Sequence, residues 1–501
     1  MNLPLFLHKK AMTKRFSILL IYFFSLSFFA ASQVNIEGLV FVDKNKDGVH
    51  QQGEKLLKNI LISNGDTIIK TDKKGYYQIT VTHGSSVFPI LPGNYSFNSK
   101  GITSRAFRNI AFDSKENDLK HNFALIPVNN PDKFRVDVVG DVQVNDMQEL
   151  YYAQQTIFTD LIQNGEKDFN LFMGDLSNDK DSILLKIRDA IGTLPSNSWS
   201  IAGNHDMTEA KPRSSALFNK LFGSDIFAFS RGKTCFIGLN NSKGYLPQTQ
   251  LRFLRQLMHL LPKDVLPVIS QHIPIQALSN HSEMLEAIGS RKCLVLSAHA
   301  HIVGRQFWNK NIQEWVVGAS CGSWWVGEKN LLGIPSSIQQ CGSPRNYFQL
   351  FINGNDYNLV FKGIDSDDQM NIWIKGQDAL DDSIPALSEL PDRYVVANIF
   401  AGSDSTIVEY SINNEIWMPM THTAMADPII LRTIEWNSRK YFPSPISKRI
   451  PLRKRDSPHI WTCTLPELDK GTYTLKIRAS DNYGMQCVKQ SRMFYISGKE
   501  Q

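Results

Sequence analysis

The chain has 501 residues, 42% of them hydrophobic and 20% charged. That length suits about three domains, and the composition excludes a low-complexity, repetitive or disordered protein. Its formal charge of +6 is no sign of nucleic-acid binding, because Lys9, Lys10, Lys14 and Arg15 all fall in residues 1–32, which hold no acidic side chain, and their removal leaves +2.

In chain order, those basic residues precede an uncharged stretch from Phe16 to Ala31. Ala30-Ala31-Ser32 follows as a small-residue cleavage site, with Gln33 as the mature start. This is the pattern of a signal peptide over residues 1–32, and Met12 as initiator would give it a conventional basic start. The expected product is secreted or periplasmic, with no membrane span after cleavage; a membrane anchor is the alternative. No Cys lies near the cleavage site, which argues against a lipoprotein.

Residues 33–130 read as a β domain, with turn signals at Asn45-Lys46-Asp47-Gly48, Asn64-Gly65-Asp66 and Lys73-Lys74-Gly75. The domain resembles small immunoglobulin- or prealbumin-like modules of exported proteins. Asp43, Asn45, Asp47, Gly48 and Glu54 satisfy the D-x-[DN]-x-[DN]-G-x5-E calcium pattern. A strand pattern at Gly38 to Val42 precedes it, and no helix pair is evident. The loop either binds calcium on a β scaffold or makes a tight hairpin connection.

From Phe134 the rhythm becomes β-α-β. Strand-like runs at Val136 to Val139, Phe169 to Met173, Trp199 to Ala202, Val265 to Ser270 and Cys293 to Ser297 alternate with helical patterns such as Met147 to Ile162. Each run is followed by metal-binding side chains: Asp141 and Gln143, then Asp175, then Asn204, His205 and Asp206, then His272, then His299 and His301. Open α/β sheets bind ligands beyond the carboxyl ends of their strands. Hard oxygens and imidazoles without thiolate suit Mn, Fe or Zn, with Mg as a harder option. Two such cations roughly 3.5–4 Å apart generate hydroxide and clamp the oxygens of an in-line displacement at phosphorus.

These segments resemble the ordered motifs of the calcineurin-like metallophosphoesterase superfamily: Asp-x-His, Gly-Asp-x-x-Asp/Asn, Gly-Asn-His-Asp/Glu, a lone His, and Gly-His-x-His. The resemblance is most specific over Phe134 to Gly304, and closest to bacterial members with a β domain on either side of the catalytic domain. It implies that Asp141 binds a first metal with Gln143 and His301, and that Asp175 bridges to a second metal held by Asn204, His272 and His299. His205 would be the non-ligand imidazole that assists the leaving group, with Asn178 near it as a second catalytic group. Two positions depart from the pattern. Gln143 stands where most members have His and offers a weaker, neutral donor. Ala298 replaces the usual Gly before the His pair.

The expected fold is α/β: a two-sheet β-sandwich metallophosphoesterase core over residues 131–355, between the N-terminal β domain and a C-terminal β sandwich over residues 356–501. Alternating runs at Ile407 to Ile412 and Tyr473 to Arg478 support the last of these. Gly322-Ser323-Trp324-Trp325 resembles an element of the same subgroup, and its tryptophans either cap the metal pocket against substrate or sit in the core. Arg453-Lys454-Arg455 reads as a solvated loop. Six cysteines without a CxxC pair make no metal site, and export leaves disulfides open for Cys463 with Cys487 and for Cys321 with Cys341. The expected function is an exported two-metal phosphoesterase acting on a small or envelope phosphomonoester, phosphodiester or diphosphate. The alternative is a secreted binding protein with a catalytically degraded domain, for which Gln143 is the best support.

Overall fold

A computed structural model describes residues 33–497 except 83, 99–106, 111–118, 379–380, 415, 443–445 and 447. The expected signal peptide therefore lies outside the described residues. Among them, no helix is long and apolar enough to cross a membrane.

The N-terminal part forms two four-stranded sheets. Its logic is visible in Tyr76–Thr82, where alternate residues are buried and exposed, so Tyr77, Ile79 and Val81 enter the core. This strand pairs antiparallel with Gln33–Val42, which pairs parallel with Phe123–Pro127. In the 43–54 loop, Asp43 accepts hydrogen bonds from the amides of Lys46 (2.7 Å) and Gly48 (2.9 Å). Glu54 accepts from those of Lys44 and Gln51 (both 2.9 Å). Asp47 Oδ2 accepts from the side chains of Asn45 (2.8 Å) and Gln51 (2.7 Å). Its own carboxylates thus close the loop as a turn.

Two sheets face each other in the middle of the chain. The first runs Asn197–Ser200, Phe169–Phe172, Lys133–Val139, Asn346–Asn353, Asp356–Gly363; its first three strands are parallel and its last three antiparallel to their neighbours. The second has six strands: Thr234–Gly238, Leu266–Ser270, Cys293–Ser297 and Ile312–Val317 are parallel, and the edge strands Phe227–Arg231 and Val303–Phe307 are antiparallel to their neighbours. Several are buried along their whole length, as strands covered on both faces require. Aromatic rings fill the interface: Trp199 stacks on Phe229 at 4.1 Å, and Phe169 meets Phe236 edge-on at 5.0 Å. Helix Asp181–Gly192 buries Ile183, Leu184, Ile187 and Ile191, one face of a 3.6-residue period.

Two expectations need correction here. The domain boundary at 355 falls inside an antiparallel hairpin, because Asp356–Gly363 pairs along its full length with Asn346–Asn353 and completes the first sheet. The helix expected over Met147 to Ile162 is not uniform: Met147–Ala153 and Thr159–Gln163 flank a π-helical turn, Gln154–Phe158. There the Thr156 hydroxyl donates back to Tyr152 O (2.7 Å) and accepts from Arg345 (3.1 Å).

The C-terminal part is two further four-stranded sheets plus helix Pro428–Ser438. Ile407–Ile412 is a strand with the expected limits, and Gly471–Ser480 contains the expected Tyr473 to Arg478 run. All six cysteines are free thiols.

Candidate metal centre

Each candidate side chain sits on a turn just past a strand, and the turns are unusually strained. Asp141, Gln143, Asp175, His299 and His301 all have positive φ, between 26° and 66°. Such non-glycine conformations cost on the order of 1 kcal/mol or more each and gather at functional sites. Two glycines let the turns approach. A Cβ on Gly174 would lie 2.6 Å from Gly203 N and 2.8 Å from His272 Nδ1, and one on Gly203 would lie 2.2 Å from Asp175 Oδ1.

The turns bring Asp175, His272 and His299 together, with their ligand atoms all within 4.8 Å of one another. His272 Nε2 stands 3.1 Å from Asp175 Oδ2 and 3.2 Å from His299 Nδ1. His272 Nδ1 donates to Met173 O at 2.8 Å, which turns Nε2 toward the cluster. His301 is arranged likewise: Nδ1 donates to Gly322 O at 2.5 Å, and Nε2 faces Asp141 Oδ1 at 3.9 Å. Asp141 Oδ2 accepts from His299 N at 3.0 Å, tying the two halves of the cluster together.

The electrostatics suit a cation. Burial pushes the Asp141 carboxyl well above the usual range, partly countered by His272. Burial works against the charge on Asp175 too, but His272 and His205 outweigh it and hold its pKa low. His272 is raised to about 9 because Asp175 and Asp141 overcome its burial, the same negative field that would attract a metal. Burial, followed by the His272 charge for His299, lowers both His299 and His301 to about 4, which keeps them neutral as ligation requires. The clearest sign is polar atoms with nothing to bond. Asp141 Oδ1, Gln143 Oε1 and Asn204 Oδ1 are buried without a hydrogen-bond partner, a costly condition that a cation would relieve. The residues fit two divalent cations.

His205 lies at the edge, its side chain 31% exposed and thus able to reach a bound ester. Its backbone N–H donates to Asp175 Oδ1 (2.8 Å), and its ring Nδ1 pairs with Asp179 Oδ2 (2.7 Å). Asp179 also receives Arg213, which donates further to Asn204 O (3.3 Å). This corrects the expectation for Asn178. Its side chain turns to Gln143 Nε2 and Asn145 (both 3.5 Å), not to the imidazole. Sequence reasoning missed Asp179 because the neighbouring Asn178 occupies the motif position, although the turn at φ 60° aims Asp179 at His205. Asp206 is given no separate role by the motif itself. It braces the site by accepting from Leu176, Ser177 and Gly203 amides at 2.9–3.0 Å.

The two tryptophans separate. Trp325 is 3% exposed, donates to Val142 O at 3.0 Å and packs on Tyr152; it is a core residue. Trp324 is 38% exposed and stacks on His301 with ring centres 4.1 Å apart.

Three family models match the chain in succession. They are described as the N terminal of Calcineurin-like phosphoesterase (residues 43–128), Calcineurin-like phosphoesterase (134–316) and the C terminal of Calcineurin-like phosphoesterase (314–486). No curated protein matches in sequence. Among solved structures, a dimetal phosphatase from Danio rerio is similar at 13% identity and TM-score 0.35, over 46% of this chain and 96% of that one. A 5'-nucleotidase from Candida albicans SC5314 is similar at 8% identity and TM-score 0.30, over 74% of this chain and 91% of that one.

Proposed function

The chain belongs to the calcineurin-like phosphoesterase family and is a metal-dependent phosphoester hydrolase, and from that premise we propose that it is an exported enzyme using two divalent cations on a small or envelope phosphate ester. Asp141, Gln143 and His301 would hold one cation, Asn204, His272 and His299 the other, and Asp175 would bridge them. Manganese, iron or zinc suits this donor set. The observation that carries the assignment is the trio of buried, unpartnered oxygens on Asp141, Gln143 and Asn204. Once bound, the cations supply nucleophile activation and charge neutralisation at the phosphoryl group.

The remaining chemistry belongs to the chain itself. Asp179 orients the His205 ring through Nδ1, leaving Nε2 to donate a proton toward the departing oxygen. Arg213 holds Asp179 in place. Export is supported by the basic, then apolar, then small-residue order of residues 1–32. Calcium in the 43–54 loop would have to compete with the amides that already occupy Asp43 and Glu54, and forms no part of the proposal.

The test is metal content together with hydrolysis of p-nitrophenyl phosphate and bis-p-nitrophenyl phosphate in added Mn. The wild type should carry two metals per chain and turn over at least one ester. Asp175→Asn, which removes the shared negative charge, should lose turnover and metal together. A variant with two metals and full rate would overturn the bridging role. A wild type that binds neither metal nor hydrolyses either ester would favour the degraded-domain alternative.

A further inference from the structure

A cavity of about 610 Å³ opens beside the imidazole pair, lined among others by Ala300, Trp324, Gln340, Arg449, Arg453 and Arg455. Ala300 lies between His299 and His301 in the chain, so this space adjoins the proposed metal site. Gln340 ties the floor to the centre. Its N–H donates to His301 O (2.9 Å), and its side chain donates to Ser323 Oγ (3.1 Å) and to Pro451 O (3.4 Å) on the arginine-bearing segment.

The three arginines differ from several others in the protein. Arg213, Arg252, Arg305 and Arg432 each meet a carboxylate. Among the described residues, Arg449, Arg453 and Arg455 form no ion pair, and no acidic side chain lines the cavity. Burial makes Arg455 harder to charge than an ordinary arginine, opposed by Cys341 and reinforced more weakly by the Arg453 charge. All three are exposed residues, but like charges gathered on one cavity are unfavourable unless something anionic joins them. Guanidinium forks suit phosphate, which they grip bidentately. Trp324 adds a half-exposed ring, one face of which is spent on His301.

Given the phosphoesterase reading on which this rests, we propose that the cavity is a second anion subsite, and that the preferred substrate is a phosphoester whose leaving group carries a further phosphate. The scissile phosphate would sit at the metals, and the second would reach Arg449, Arg453 and Arg455 across Trp324. The loop expected to be merely solvated thus becomes a specificity element, supplied to the site by the C-terminal domain.

The experiment compares alkanediol bisphosphates of graded spacer length, each with its own monophosphate, on the full-length mature protein with Mn. For at least one spacer the bisphosphate should have a kcat/KM roughly tenfold higher, as expected for several partly exposed charge contacts acting together. The gain should lie mainly in KM and shrink with added NaCl. In R449Q/R453Q/R455Q the bisphosphate-to-monophosphate ratio should fall to about one; because the ratio is internal to each protein, a general loss of activity cannot imitate this. No preference at any spacer, or one that survives the triple substitution, overturns the subsite. Calorimetric binding of the bisphosphate to metal-free protein separates the two readings. Binding by the wild type that is lost in the triple variant upholds the subsite even if no ester is hydrolysed, whereas absent binding with intact ester hydrolysis overturns the subsite alone.

Discussion

His205 has two jobs that single substitutions can separate. Its backbone N–H fixes Asp175 Oδ1, and its ring is oriented by Asp179. Alanine keeps the first and removes the second. His205→Ala should therefore retain most bound metal while turnover drops by about 10²–10⁴-fold, the range for lost acid–base assistance. Asp179→Asn should shift turnover in the same direction by less, since the imidazole remains but loses its charged partner. Collapse of metal content in His205→Ala would make the ring a ligand. Gln143 offers a second test. Its Nε2 turns to Asn178 and its Oε1 is left without a partner, the orientation an oxygen donor needs. An amide oxygen binds borderline cations less strongly than imidazole. One metal should thus bind more weakly than the other in the wild type, and Gln143→His should tighten that site and move its preference from Mn toward Zn. Titrating apo protein with each metal decides; two equal sites that the substitution leaves unchanged would remove Gln143 from the coordination sphere.

At the level of elements, helix Pro428–Ser438 is joined to the rest of the molecule through its N-cap. Asp427 accepts from Ile429 N–H and from Asn398 Nδ2, both at 2.6 Å, and Pro428 begins the helix where a missing N–H costs nothing. Asn398 also donates to Cys341 O at 2.9 Å, so the cap anchors the C-terminal domain to the segment behind the metal cluster. Burial raises the Asp427 carboxyl to about 6. A raised carboxylate pKa means that the folded state holds the proton more tightly than the unfolded chain. The stability this gives is full below the unfolded pKa and is lost as pH rises through about 6, on the order of 3 kcal/mol in all. In Asp427→Asn this titration disappears. The difference in unfolding midpoint should then move in the variant's favour between roughly pH 4 and pH 7, and a difference independent of pH would refute the buried charge as its cause.

Across the whole molecule, the three domains are locked by both packing and charge. Phe88 of the N-terminal domain meets Phe253 of the catalytic domain at 6.0 Å, and Asp66 pairs in two contacts with Arg252 (2.7 and 2.9 Å). On the other side Arg305 and Asp481 form an ion pair with neither side chain exposed. The guanidinium carbon of Arg305 lies 4.2 Å from the Trp315 ring centre, and Arg305 also donates to Tyr483 O (2.9 Å). Removing one partner of such a pair leaves a buried charge uncompensated, at a cost of about 3–5 kcal/mol. Asp481→Ala should therefore lower the thermal midpoint of the whole protein, while Arg305→Met with Asp481→Leu should recover much of the loss. If the single substitution is silent, the pair lies open to water in solution.

The sequence by itself determined which strands carry the site and which side chains follow them. Apolar runs ending in Asp141, Asp175, Asn204, His272 and His299 are local patterns, and period-two alternation in Tyr76–Thr82 is enough to place a strand. Cys293–Ser297 and Ile407–Ile412 have the expected limits for the same reason. Tertiary structure decided matters that depend on a partner distant in the chain. A left-handed turn aims Asp179 rather than Asn178 at His205. Contact with Val142 and Tyr152 buries Trp325 while Trp324 covers His301. Pairing with Asn346–Asn353 carries the catalytic sheet past residue 355. Arg453 and Arg455 are exposed, as a solvated loop requires, but only folding brings them, with Arg449, to one cavity beside Trp324. Backbone preference and side-chain periodicity are written along the chain, but the direction in which a turn points a side chain and the element it meets are fixed only when the sheets and domains pack.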